Sequence, residues 1–115
     1  MKKIALFVFN GDQMCFIHVL LNALDMSAKG YAAKIVIEGA ATKLIPELEK
    51  KTNPLHQLWK KARSEGLIEG VCKTCSKKME TIVAAKTLGL PLLEDMLGHP
   101  GIARYRDAGF EIITF

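Results

Sequence analysis

The sequence predicts an α/β fold: a three-layer α/β/α sandwich around a mostly parallel sheet of about five strands, formed as one domain over residues 1–115. Three observations predict it. Short apolar runs alternate with helix-length stretches from end to end, the runs are apolar throughout instead of alternating with polar residues, and no hairpin signal joins any two of them.

The first strand is Lys3 to Phe9, nearly continuous apolar sequence with aromatic and β-branched members, as in a strand covered on both faces. Asn10-Gly11-Asp12 turns the chain, and Asp12 is placed to cap a helix that starts at Gln13. Along that helix His18, Asn22, Asp25 and Lys29 recur at steps of four, three and four residues and trace one narrow wet stripe on an otherwise apolar cylinder. A helix of that pattern is covered on more than one side, consistent with a subunit interface, and His18 on the stripe reads as solvated. Cys15 falls in the first turn. Gly30 stops the helix, and Ala33-Lys34-Ile35-Val36-Ile37 is a second buried strand, ending at Glu38-Gly39.

A helical piece over Thr42 to Lys51 follows, with Pro46 in its first turn. Thr52-Asn53-Pro54 breaks it, and Asn53 caps another helix, Leu55 to Ser64, with Leu55, Leu58, Trp59 and Ala62 inward and His56 towards water. The third strand, about Leu67 to Cys72, runs directly into a helix expected over Thr74 to Leu88, whose inward residues would be Met79, Ile82, Val83 and the stem of Lys86. Leu90 to Leu97 reads as a short strand or extended segment and Gly98-His99-Pro100-Gly101 as a loop. Ile102 to Ala108 is a short helix and Phe110 to Phe115 the last strand. Open parallel sheets bind ligands beyond the carboxyl ends of their strands, the edge at which Asp12 with Cys15, Glu38-Gly39, Cys72 and Gly98-His99 emerge.

Composition narrows the function classes. The net charge of +4 is spread over several segments with few aromatics among them, a solvated basic face and not a nucleic-acid footprint. Met1-Lys2-Lys3 followed by an apolar run imitates a signal peptide, but the run is short and no small-residue cleavage site follows, so the protein reads as cytoplasmic. No run is long enough to span a membrane. Half of the residues are hydrophobic, a surplus expected to be buried against other subunits. Paired carboxylates, an activated serine and a phosphate-cradling glycine loop have no recognisable form here.

The chemistry concentrates in Glu69-Gly70-Val71-Cys72-Lys73-Thr74-Cys75-Ser76-Lys77-Lys78-Met79. Cys72 is predicted at a strand-to-helix junction, where unpaired amides and the adjacent Lys73 favour a thiolate, the form that attacks sulfur or binds metal. Cys75 follows at C-x-x-C spacing, on the same face of the first helical turn. The competing reading is a pair of buried, inert cysteines, and the polar basic surroundings argue against it. His99, in a loop beside the site, is either a group that orients a donor or relays a proton or a plain turn residue before Pro100.

These residues resemble the DsrE/YchN family of small sulfur-handling proteins. The resemblance runs through Lys3 to Asp12, Ile35-Val36-Ile37-Glu38-Gly39 with Leu44, Gly70-Val71-Cys72, the Gly98 loop and the closing Gly109-Phe110 strand. It implies a flavodoxin-like sheet, a homotrimer or homohexamer, and carriage of sulfane sulfur as a persulfide on Cys72, passed from donor to acceptor proteins or small persulfides without a cofactor. Cys75 is present in some relatives of that family, and Cys15 lies outside its pattern. Cys72 and Cys75 are thus the candidate catalytic residues, with Lys73, Cys15, Gly39 and His99 in support and no resident metal. Two rivals remain: a dithiol redox protein cycling Cys72 and Cys75 through a disulfide, and a non-catalytic oligomeric binding protein whose cysteines hold zinc with ligands from Cys15, His99 or another subunit.

Overall fold

A computed structural model describes all residues, 1–115, and contains one five-stranded, wholly parallel sheet with helices on both faces. The strands are β1 (Lys3–Val8), β2 (Ala32–Ile37), β3 (Ile68–Cys72), β4 (Leu92–Leu93) and β5 (Glu111–Thr114), in spatial order β4-β3-β2-β1-β5. The helices are α1 (Gln13–Ala28), α2 (Ile45–Leu48), α3 (His56–Ser64), α4 (Lys73–Lys78), α5 (Ile82–Thr87) and α6 (Ile102–Asp107), with a 3-10 turn at Gly39–Leu44 before α2. The first four strands step across the sheet in one direction and β5 returns to the far side of β1. Right-handed crossovers therefore put α1 to α5 on one face and α6 on the other.

The two faces carry separate cores. Ile4, Leu6, Val8, Ile35, Ile37 and Val71 face the buried sides of α1, α2, α3 and α5 in a cluster of 20 residues, with Phe16 and Trp59 at its centre. The opposite face holds a cluster of six, in which Ala5, Phe7, Val36 and Leu93 meet Tyr105 of α6 and Phe110. Because strand side chains alternate, Cys72 projects to the same face as Gly70, and a side chain at Gly70 would collide with Leu93 of that second cluster. Cys72 thus lies on the thinly covered face, at the carboxyl end of β3.

Most of the expected elements form where the sequence places them. Asp12 caps α1 through a 2.7 Å bond from the Met14 amide, His18, Asn22, Asp25 and Lys29 are all exposed, and Asn53 accepts the Leu55 amide at 2.8 Å. The piece expected over Thr42 to Lys51 lies three residues earlier, a 3-10 turn over Gly39–Leu44 and then α2, with Pro46 in the first turn of α2 as expected. His56 is buried instead of facing water, its Nδ1 2.9 Å from the Leu48 carbonyl. The single helix expected over Thr74 to Leu88 is two helices, α4 and α5. Glu80 between them takes a left-handed φ of 59°, and the buried Thr81 hydroxyl donates to the Thr42 carbonyl at 2.9 Å. That break rotates the second half: Ala85 is buried, while Met79, Val83 and Lys86 are exposed, against the expected inward set.

Candidate thiol site at the carboxyl edge of the sheet

Cys72 both ends β3 and caps α4. Its backbone stays extended and its sulfur accepts the Cys75 amide at 3.4 Å, the part an Asp or Ser oxygen plays at most helix starts. Cys75 is then the third helical residue, and its thiol shares the same corner.

The histidine arrives from a distant part of the chain. Met96 and His99 exchange two backbone hydrogen bonds, 2.7 and 2.8 Å, around Leu97 and Gly98, whose φ values of 47° and 89° mark a type I′ turn. The turn docks on α4: the Thr74 amide donates to the Gly98 carbonyl at 3.0 Å, and a Cβ on residue 98 would run into the Thr74 hydroxyl. Only glycine satisfies both that conformation and that approach. The docked turn holds His99 Nδ1 3.1 Å from the Cys72 sulfur and 3.7 Å from the Cys75 sulfur.

The electrostatics depart from the expectation of a thiolate. Cys72 has no accessible surface, and burial pushes its thiol up to about 11. The Cys75 amide pulls the other way but is outweighed, while the Cys75 thiol and the charge of Glu38 add smaller upward pushes. Lys73 supplies no correction, because its ammonium pairs with the Glu94 carboxylate at 3.3 Å on the solvent side. Cys72 is therefore a neutral thiol at pH 7, with the His99 nitrogen and, at 3.6 Å, the Gly98 carbonyl in reach as acceptors. The groups around its sulfur are polar, and Cys75 is the half-exposed sulfur of the pair.

Gly39 does not touch the sulfurs. It takes φ 57° after β2, with its Cα so close to the Phe9 carbonyl that a Cβ would come within 3.2 Å, and so fixes the backbone beside Glu38. Glu38, which the sequence placed at this edge without a role, does bear on the site: half-buried, its carboxyl is pushed by burial from 4.5 to about 7, and its charge reaches Cys72. The signal was an acidic residue placed straight after the apolar run Ile35-Val36-Ile37, where little can solvate it. Cys15 stands apart, in the first turn of α1 on the other face of the sheet. It lines a shallow cavity of about 400 Å³ with His18, Asn22 and Phe115 and is no member of the Cys72, Cys75 and His99 group.

No protein-family model matches the chain, and no solved structure matches it significantly. Among its relatives is a protein of Methanocaldococcus jannaschii, the uncharacterized protein MJ0733, 30% identical over 96 residues that make up 84% of this chain and 76% of that one. The chain belongs to the family of MJ0733. A second relative, an uncharacterized protein of Archaeoglobus fulgidus, is 49% identical over 41 residues, 36% of this chain and 67% of that one. Neither relative's name states an activity. One imidazole within reach of two thiols is suited to proton transfer at sulfur, and the same three groups are the strongest set of metal ligands in the fold.

Proposed function

We propose that the protein carries sulfane sulfur as a persulfide, with Cys72 as the storage thiol, Cys75 as the thiol that meets the donor, and His99 as the base serving both. The single observation that carries this reading is the placement of one imidazole nitrogen 3.1 and 3.7 Å from two sulfurs of unequal exposure. A buried thiol needs a base at the moment of attack, and His99 is within proton-transfer range. The resemblance to DsrE/YchN proteins supports the same assignment of Cys72.

In the first step the Cys75 proton passes to His99 and the sulfur attacks the outer sulfur of a donor persulfide, R–S–SH. A new S–S bond forms at Cys75, the donor's S–S bond breaks, and the donor leaves as RS⁻, which recovers the proton. Cys72, deprotonated through the same imidazole, then attacks the outer sulfur on Cys75, forms Cys72–S–SH and restores the Cys75 thiol. Neither step changes the overall oxidation state, and no cofactor takes part. For delivery the Cys75 thiolate takes the outer sulfur back from Cys72, and an acceptor thiolate removes it there as its own persulfide, leaving Cys75 a thiol. Burial of Cys72 shields the stored persulfide from stray thiols, a use for the covering that a directly attacking nucleophile would not have. Exposed Met14 and Leu21 on α1 and Ile113 on the free edge of β5 support assembly of several copies, for which the resemblance implies a trimer or hexamer, and unpaired cysteines suit the cytoplasm.

Intact mass after exposure to a small-molecule persulfide donor tests the proposal. Wild type should gain one sulfur atom. Cys75→Ser should load more slowly, Cys72→Ser should gain sulfur and lose it quickly to added thiol, and His99→Ala should slow loading by about a hundredfold, the low end for loss of a general base. No gain on wild type, or gain confined to Cys15, would sink it.

A further inference from the structure

We infer that Cys72, Cys75 and His99 form a binding site for a thiophilic divalent metal such as zinc, with three protein ligands and a fourth position left open. Sulfur carriage and metal binding would be alternative states of one site, and the inference does not depend on the sulfur reading.

The geometry is close to that required. A tetrahedral zinc with thiolate and imidazole ligands separates neighbouring ligand atoms by about 3.5–3.8 Å, from Zn–S near 2.3 Å and Zn–N near 2.0–2.1 Å. His99 Nδ1 lies 3.1 and 3.7 Å from the two sulfurs, and all three ligand atoms fall within 4.8 Å of one another. Shifts of up to about an ångström in ligand separation would complete the arrangement. All three ligands stand on backbone that is already fixed: Cys72 by the β3 ladder and its capping bond, Cys75 by the first turn of α4, His99 by the I′ turn docked against Thr74. The imidazole tautomer that accepts a thiol proton at Nδ1, with its hydrogen on Nε2, is also the one that ligates a metal through Nδ1.

Charge explains why burial favours the complex. A lone thiolate is costly in a covered site, but two thiolates and a dication sum to zero, so the covering that opposes a bare anion opposes the metal complex far less. No fourth Cys, His, Asp or Glu has a ligand atom in the group. Three protein ligands with an open position are the pattern of sites that bind or activate a further ligand, whereas purely structural zinc is closed by four. A small thiol or sulfide is the natural occupant of that position, since the metal is already sulfur-bound.

The test is anaerobic titration of the reduced, full-length protein with Co²⁺, read by optical absorption. Expected is one Co²⁺ per chain, with thiolate-to-cobalt charge transfer and the intense visible bands of tetrahedral cobalt, both abolished in Cys72→Ser and in Cys75→Ser. Because a change at the buried Cys72 can unfold the chain, circular dichroism accompanies each variant, and His99→Ala, at a half-exposed position with both thiols kept, is the second probe. It should weaken binding by more than the roughly 10–100-fold that loss of an outer-shell partner costs. Weak, octahedral-type spectra shared by wild type and the cysteine variants would overturn the site, and unchanged affinity in His99→Ala would overturn the three-ligand assignment. Persulfide loading of metal-free protein is a separate measurement, so failure of either reading leaves the other standing. If both hold, stoichiometric Zn²⁺ should block sulfur loading.

Discussion

The β1–α1 and β3–α4 junctions begin with similar materials and end as different chemistry. Each brings a cysteine to the carboxyl edge of the sheet at the start of a helix, and each has a histidine near: His18 three residues after Cys15, His99 27 residues after Cys72. At the first junction the Asp12 carboxylate takes the cap, so Cys15 is an ordinary first-turn residue beside an exposed imidazole. At the second the sulfur itself is the cap, and an unrelated turn lays an imidazole on it. Local spacing thus supplies candidates, and a long-range contact selects between them.

The contrast is most easily broken by measuring thiol reactivity. With the Cys72 thiol raised to about 11, its thiolate fraction at pH 8 is roughly a hundredfold or more below that of an ordinary cysteine near 8.5. Peptide mapping after limited iodoacetamide treatment should find Cys15 modified early and Cys72 last. Above pH 8 the Cys72 rate should climb about tenfold per pH unit until near its own pKa. Equal labelling of Cys15 and Cys72 at pH 8 would mean that the burial argument for the second junction is wrong.

A smaller effect belongs to Glu38, which ends the strand between the two junctions. Its native pKa of about 7 lies above the unfolded value of 4.5, so the native state holds a proton that the unfolded state has released. Stability is therefore lost as pH rises from about 4.5 to 7, with no penalty below that window and a constant one above it. Screening at a half-exposed carboxyl reduces the full penalty to about 1–2 kcal/mol. Glu38→Gln should then be more stable than wild type by that amount at pH 8 and equal to it at pH 4, read from urea unfolding at the two pH values. The same change should speed alkylation of Cys72, whose thiol the Glu38 charge holds up, and leave Cys15 unaltered.

How much of this could be read from the chain depends on how local each cause is. The alternating apolar runs specify a parallel sheet because each run is a strand by its own composition. Cys72 at a strand end, Asp12 as a cap and Pro46 in a first turn are equally local. The break at Glu80 was hidden, because it depends on the Thr81 hydroxyl finding the Thr42 carbonyl 39 residues away. His99 was legible as a loop histidine beside the site, but not which atoms it meets, because that contact spans 27 residues. The rise in the Cys72 pKa was misjudged because helix-end amides and Lys73 are visible in sequence, whereas burial and the pairing of Lys73 with Glu94 are properties of the assembled fold.

The turn that delivers His99 offers the finest test of the comparison. Leu97 holds a left-handed φ of 47° with its side chain 99% exposed, so it bears the strain of a non-glycine residue in that region and gains no packing in return. Asparagine tolerates the conformation and is favoured at the first central position of a type I′ turn. Leu97→Asn should therefore stabilise the protein by up to about 1 kcal/mol in thermal or urea unfolding, with His99 still seated on the two sulfurs. A loss of stability would show that the exposed leucine is covered in solution, by another copy or a partner resting on the turn. A loss of sulfur loading with stability intact would show that the leucine, and not the turn geometry alone, serves the site.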